Sequence, residues 1–132
     1  MPITYRNEPG LKAEQLSELF GKSGIRRPIE DFPRLQKMID NADLTITAWD
    51  KEKLVGIARA ITDYSYCCYL SDLAVDSDYQ GQGIGSELVR QIKAAIGEEA
   101  ALLLVSAPEA VGFYPKIGME SIDNGFIIKR TL

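Results

Sequence analysis

At 132 residues the chain has room for one compact domain, taken here as 1–132, and none for a second. Fifteen Lys and Arg against nineteen Asp and Glu give a net charge of −4, which denies nonspecific nucleic-acid binding its electrostatic support. With no histidine anywhere, Ser-His-Asp and Cys-His nucleophile systems are excluded, and zinc loses its commonest nitrogen ligand, so no metal is expected.

No apolar run approaches membrane-spanning length, and the start Met1-Pro2-Ile3-Thr4-Tyr5-Arg6 lacks a signal-peptide core. A cytoplasmic protein with no membrane partner is the expectation. A first strand is followed by a helical stripe of Leu16, Leu19 and Phe20 ending at Gly21, a suitable residue beyond a helix C-terminus. Phe32, Leu35, Met38 and Ile39 form a second stripe after Asp31. The loop between them carries Arg26 and Arg27, whose guanidinium groups suit a carboxylate or phosphate but equally a solvated surface.

Leu44 to Trp49 and Leu54 to Thr62 read as a hairpin across the polar turn at Asp50-Lys51-Glu52-Lys53. Asp63-Tyr64-Ser65 turns the chain into a third strand, Tyr66 to Val75. The adjacent Cys67 and Cys68 then point to opposite sheet faces and form no structural disulfide; small buried hydrophobe is the preferred reading of each. Tyr64, Tyr66 and Tyr69 are either cleft-lining or packed cross-strand residues. Next comes a glycine turn, then a helix with Ile84, Leu88, Val89, Ile92 and Ile96 on one face, stopping near Gly97.

The continuous apolar run Ala101 to Val105 predicts a central strand buried on both faces. Pro108 and Glu109 suit the first turn of a short helix through Ala110 to Tyr114, and Phe126 to Lys129 read as a last strand. The order defines an α/β domain with a mixed sheet.

The glycine turn, Gln80-Gly81-Gln82-Gly83-Ile84-Gly85-Ser86, carries the chemistry. A helix start exposes unpaired N–H groups at the positive end of the macrodipole, and glycines let a ligand approach the backbone. No Ser, Thr, Asp or Asn stands just before Ile84 to cap those groups, so an outside phosphate can take that role. A P-loop would need Lys then Ser or Thr after its last glycine, but Ser86 and Glu87 follow Gly85. A dinucleotide fingerprint from Gly81 meets Ser86 at its third glycine position, and it lies too deep in the chain. A ligand-free turn remains as the plain alternative.

The pattern Gln/Arg-x-x-Gly-x-Gly/Ala, realised by Gln80 to Gly85, resembles the acetyl-CoA pyrophosphate loop of the GCN5-related N-acetyltransferases (GNAT). A second signature of that family, Ala-x-x-Phe-Tyr-x-Lys-x-Gly-Phe, appears as Ala110 to Met119, with Met119 in place of the final Phe, and the order of elements is similar too. The resemblance implies a mixed, mostly antiparallel sheet of six to seven strands flanked by about four helices. It implies acetyl-CoA as cosubstrate and direct transfer of the acetyl group to a primary amine of a small molecule or peptide. Dimers are common in the family, so a homodimer is admitted by analogy alone.

The same resemblance assigns cofactor contacts to Leu73, Ala74, Val75, Gln80, Gly81, Gln82, Gly83, Ile84, Gly85 and Ser86. The Val75 main chain holds pantetheine, and the Leu73 N–H is the oxyanion donor. Tyr114 matches the tyrosine that protonates the leaving thiolate. An alkylammonium of pKa near 10 is only about a thousandth deprotonated at neutral pH, so a proton acceptor is wanted. Asp72, beside the expected thioester site, is the first candidate, ahead of Asp63 and Asp76. Many relatives have Asn where this chain has Ala107, and Ser106 is the candidate replacement. Pro115, directly after Tyr114, has no N–H and is expected to end or kink the short helix. The alternative function is a silent CoA-binding sensor or interaction module, with a nucleotide-binding regulator third.

Overall fold

Strands β1 (Thr4–Asn7), β2 (Leu44–Asp50), β3 (Lys53–Thr62), β4 (Cys67–Val75) and β5 (Ala101–Leu103) form one sheet in chain order. The structure is a computed structural model that describes residues 2–7 and 10–132. β1 to β4 are antiparallel neighbours, while β5 runs parallel to β4. Helices α1 (Ala13–Ser23), α2 (Phe32–Asp40), α3 (Ile84–Ile96) and the single-turn α4 (Phe113–Lys116) complete the α/β architecture.

Apolar spacing decides the layers. Leu16, Leu19 and Phe20 of α1 and Leu35 and Ile39 of α2 pack with Trp49, Ile57 and Ala74 on one sheet face. On the other face, Ile84, Leu88, Val89, Ile92 and Ile96 of α3 meet Leu44, Ile46, Ala58, Ala60, Cys68 and Leu70. Each fully buried Leu, Ile or Phe contributes roughly 1.5–3 kcal/mol. Gly56 lets α3 settle on β3, since a Cβ there would stand 3.2 Å from Ile84 Cγ2 and Leu88 Cδ1.

Two irregularities reset the strand alternation. Ala48 pairs with Gly56 but Trp49 pairs with Leu54, leaving Val55 as the extra residue of a bulge. On β4, Asp72 pairs with Arg59 and Leu70 with Ala60, so Ser71 is extra. Leu70 and Leu73 therefore both serve the α3 face, while Asp72 turns toward the α1–α2 face.

Several boundaries differ from the sequence reading. The first helix passes Gly21 and ends at Gly24, whose φ of 83° is the left-handed conformation that the earlier glycine was expected to supply. The last apolar run makes no strand: Phe126 and Ile128 are 98% and 99% exposed and pair with nothing, so the described sheet has five strands, not six or seven. Consequently β5 is an edge rather than a central strand, shorter than expected, with Leu103 and Val105 largely exposed. The short helix splits into a 3₁₀ turn at Pro108–Ala110 and α4, which continues through Pro115 to Lys116. Pro115 falls in the first turn, where a missing N–H costs nothing.

A coenzyme-sized cleft between two diverging strands

β4 and β5 pair only from Cys67 to Tyr69 against Ala101 to Leu103. Beyond that the strands separate, so from Leu70 to Val75 the main-chain groups facing β5 have no ladder partner. The Ser71 bulge bends β4 at the point of divergence. A cleft of about 1080 Å³ opens there, at the upper end of ligand-pocket sizes.

Its walls include Leu73, Ala74, Val75, Gln80, Gly81, Gly83, Ile84, Gly85, Ser86 and Tyr114. Of the expected site residues, Gln82 and Asp72 do not line it. Gly81 and Gly83 hold φ of 80° and 85°, a region that suits glycine and turns the loop tightly into α3. Gly83 is the N-cap, and no side chain bonds the first-turn N–H groups. Glu87, in that turn, instead accepts from Arg90 at 2.8 and 2.6 Å and from Gln91 at 2.8 Å. The Arg90 guanidinium, then Gln91, hold the Glu87 carboxyl down to about 2. The start of α3 thus keeps its N–H groups available to an anion.

Gln80, the first residue of the motif, folds its amide back on the strand: Nε2 donates to the Val75 carbonyl at 2.9 Å. That bond ties the loop to β4 and leaves the Val75 oxygen one further lone pair. The second motif is fastened to the first, because Phe113 Cζ lies 3.4 Å from where a Gly85 Cβ would stand. Phe113 also meets Tyr114 edge to face, with centroids 5.1 Å apart. Tyr114 is half-buried, and desolvation pushes its phenol above the usual tyrosine value. It therefore holds its proton through the physiological range.

The carboxylate expected to act as base sits differently. Asp72 is fully buried; Oδ1 accepts from Arg27 Nε at 2.7 Å and Oδ2 from Arg59 Nε. Arg27 also donates to the Ser71 carbonyl, and Arg59 to the Ser71 hydroxyl and the Met38 carbonyl. Both oxygens are thus occupied, and the group braces the α1–α2 loop against the bulge. Asp63 caps the β3–β4 turn through N–H groups of Ser65, Tyr66 and Cys67, which pull its carboxyl to about 2. Asp76 caps the turn after β4 and lies 3.7 Å from Lys53.

Among the three tyrosines only Tyr69 lines the cleft; Tyr64 donates to the Asp43 carbonyl, and Tyr66 is 80% exposed. Ser106 lines the cleft too, with its hydroxyl donating to the Ala107 carbonyl. Cys68 is buried as expected, but Cys67 is exposed rather than buried, because alternation sends the two side chains to opposite faces; both are free thiols. Sequence reasoning missed Arg59, which supplies half of the Asp72 clamp, and Glu109, the one carboxylate among the described residues that line the cleft. An arginine inside an apolar strand is a signal that could have exposed the first.

The glycine loop, the splayed strands and Tyr114 thus lie on one cleft. The family model described as acetyltransferase (GNAT) domain matches residues 16–129. The chain belongs to the GNAT acetyltransferase family. It is 31% identical over 107 residues to an uncharacterized N-acetyltransferase, ycf52, of Gracilaria tenuistipitata var. liui, covering 76% of this chain and 57% of that protein. Over 77 residues it is 34% identical to the chloroplastic GCN5-related N-acetyltransferase 2 of Arabidopsis thaliana, covering 57% of this chain and 30% of that protein. The chain thus spans well under two thirds of these relatives' length. A GNAT-family acetyltransferase structure from Streptococcus pneumoniae TIGR4 superposes with a TM-score of 0.79 at 26% identity, covering 98% of this chain and 99% of the other. No helix among the described residues is long and apolar enough to cross a membrane.

Proposed function

We propose that this chain transfers the acetyl group of acetyl-CoA to a primary amine of a small molecule or peptide. The observation that carries the reading is the uncapped start of α3, set at the mouth of a cleft whose β4 wall is unpaired. The first-turn N–H groups of α3, with Gly81 and Gly83, suit the pyrophosphate, and the β4 main chain from Leu73 to Val75, which has no strand partner on its β5 side, suits an extended pantetheine arm. Bound acetyl-CoA supplies the activated acyl group as a thioester.

The Leu73 N–H acts as donor to the thioester oxygen as negative charge builds there. Tyr114 passes its proton to the departing sulfur, a role that suits a phenol kept neutral by burial. A thiol of pKa about 8.5 is already a fair leaving group, so this proton assists rather than decides. The amine's own proton leaves through water in the open cleft, since Asp72 is engaged at both oxygens. No residue of this scheme requires a metal.

A homodimer is part of the same reading. The outer edge of β5 is unpaired among the described residues, and Phe126, Ile127 and Ile128 are 98%, 67% and 99% exposed. Apolar exposure of that kind favours a protein partner, and a second copy is the simplest. The functional reading is tested by thiol release from acetyl-CoA over a panel of amines. Amine-dependent release supports it, and its absence with every amine contradicts it.

A further inference from the structure

We infer that the acceptor amine carries an anionic group, a carboxylate or a phosphate, seated in the cleft by Arg26, Lys129 and Arg130. The inference rests on the acetyltransferase reading above. Although the chain is acidic overall, the cleft is walled by Arg26, Arg27, Arg34, Arg59, Lys129 and Arg130, against a single carboxylate, Glu109. A cleft lined by one sign of charge concentrates its field on a ligand of the opposite sign.

These cations are not used up by one another's partners. Arg27 and Arg59 share the one carboxylate of Asp72, which leaves that cluster with a surplus positive charge. Arg34 donates to the main-chain oxygen of Leu132 at 3.2 Å, which holds the C-terminal segment against α2. Arg26, Lys129 and Arg130 form no ion pair among the described residues.

Lys129 and Arg130 line the same cleft, and the main chain of Arg26, with the Arg27 and Arg59 side chains, is set apart from the coenzyme's phosphates along β4. Arg27 donates to Arg26's own carbonyl and to Asp72, and Arg59 reaches Met38 of α2, so the cluster lies level with Ser71 and Asp72. The strand then runs on toward Val75 and the glycine loop, about 3.3 Å for each residue. The pyrophosphate's helix start is at that far end. The basic wall therefore faces the acceptor side, where a polycationic amine would be repelled and an amine bearing its own anion would be oriented by charge-assisted hydrogen bonds.

The test compares acceptors matched in skeleton: O-phosphoethanolamine with ethanolamine, and β-alanine with its amide, with spermidine as the polycation. Thiol release at saturating acetyl-CoA should give a kcat/KM about tenfold or more higher for the anionic member, and the two pairs separate phosphate from carboxylate. Arg26→Gln and Arg130→Gln should raise KM for the preferred anionic acceptor about tenfold with a much smaller change in kcat. Preference for the neutral or polycationic amine would overturn the inference, as would variants that weaken acetyl-CoA binding and leave acceptor KM unchanged.

A calorimetric titration with O-phosphoethanolamine and β-alanine, with and without CoA, reads the anion site without turnover. Binding that falls in both variants, with ethanolamine silent, supports the site even if no amine is acetylated and the transferase reading fails. No binding of either anionic probe overturns the inference.

Discussion

Phe113 presses its ring edge to within 3.4 Å of the position a Gly85 Cβ would take, joining the second motif to the first turn of α3. Gly85 lies in α3 with no positive φ, so a larger residue there is opposed by the ring and not by the backbone. Gly85→Val should push α4 away and move Tyr114. Steady-state thiol release should show a loss of about tenfold or more in kcat/KM, since small misplacements of catalytic groups are costly. Full activity would mean that α4 does not depend on this contact.

Asp72 is predicted to matter for stability. Its buried carboxylate pairs with two guanidinium groups, and breaking a buried pair from one side costs about 3–5 kcal/mol. Asp72→Asn should lower the unfolding free energy in urea by an amount of that order. The pH dependence of kcat in the folded variant should match the parent, whereas loss of an acid limb would restore Asp72 as base.

Tyr114→Phe should reduce kcat by about a hundredfold with acetyl-CoA affinity kept, as expected for loss of a general acid. Burial raises the phenol's pKa above its usual value, so the parent's alkaline limb from this group lies above pH 10. Below that the rate should climb with pH as more of the amine is free. A pH–rate profile that falls near pH 8 would assign the limb to another group.

The layers, the meander and both motifs were legible in the sequence because each rests on local spacing: Leu16, Leu19 and Phe20 at helical intervals, Gln80 to Gly85 as contiguous residues. The edge position of β5 and the unpaired Phe126 to Lys129 were not legible, since strand pairing is decided between distant segments. Nor was the Ser71 bulge, which turns Asp72 away from the cleft and makes it a brace. Alternation along Leu70-Ser71-Asp72-Leu73 looks regular until the register with Arg59 and Ala60 is known.

Asp63 supplies a pH-dependent contribution of its own. Its folded pKa of about 2 lies below the ordinary carboxylate value of 3.8, so the turn's stabilisation is present above that ordinary value and is lost as pH falls through about 2. Thermal unfolding of Asp63→Ala against the parent should show a gap that is largest near neutrality and closes toward pH 2. A gap independent of pH would place the effect in packing.

The most direct measurement is a calorimetric titration of the parent and of Gly83→Val with acetyl-CoA, with ATP and NADH as controls. Gly83 has a φ of 85° and nothing within 4 Å of its Cβ position, so valine would strain the loop by about 1–2 kcal/mol and crowd the ligand without disturbing the core. The account predicts micromolar binding of acetyl-CoA to the parent alone. Equal binding by the variant, or no binding by the parent, would contradict the assignment of the glycine loop as the coenzyme's phosphate site.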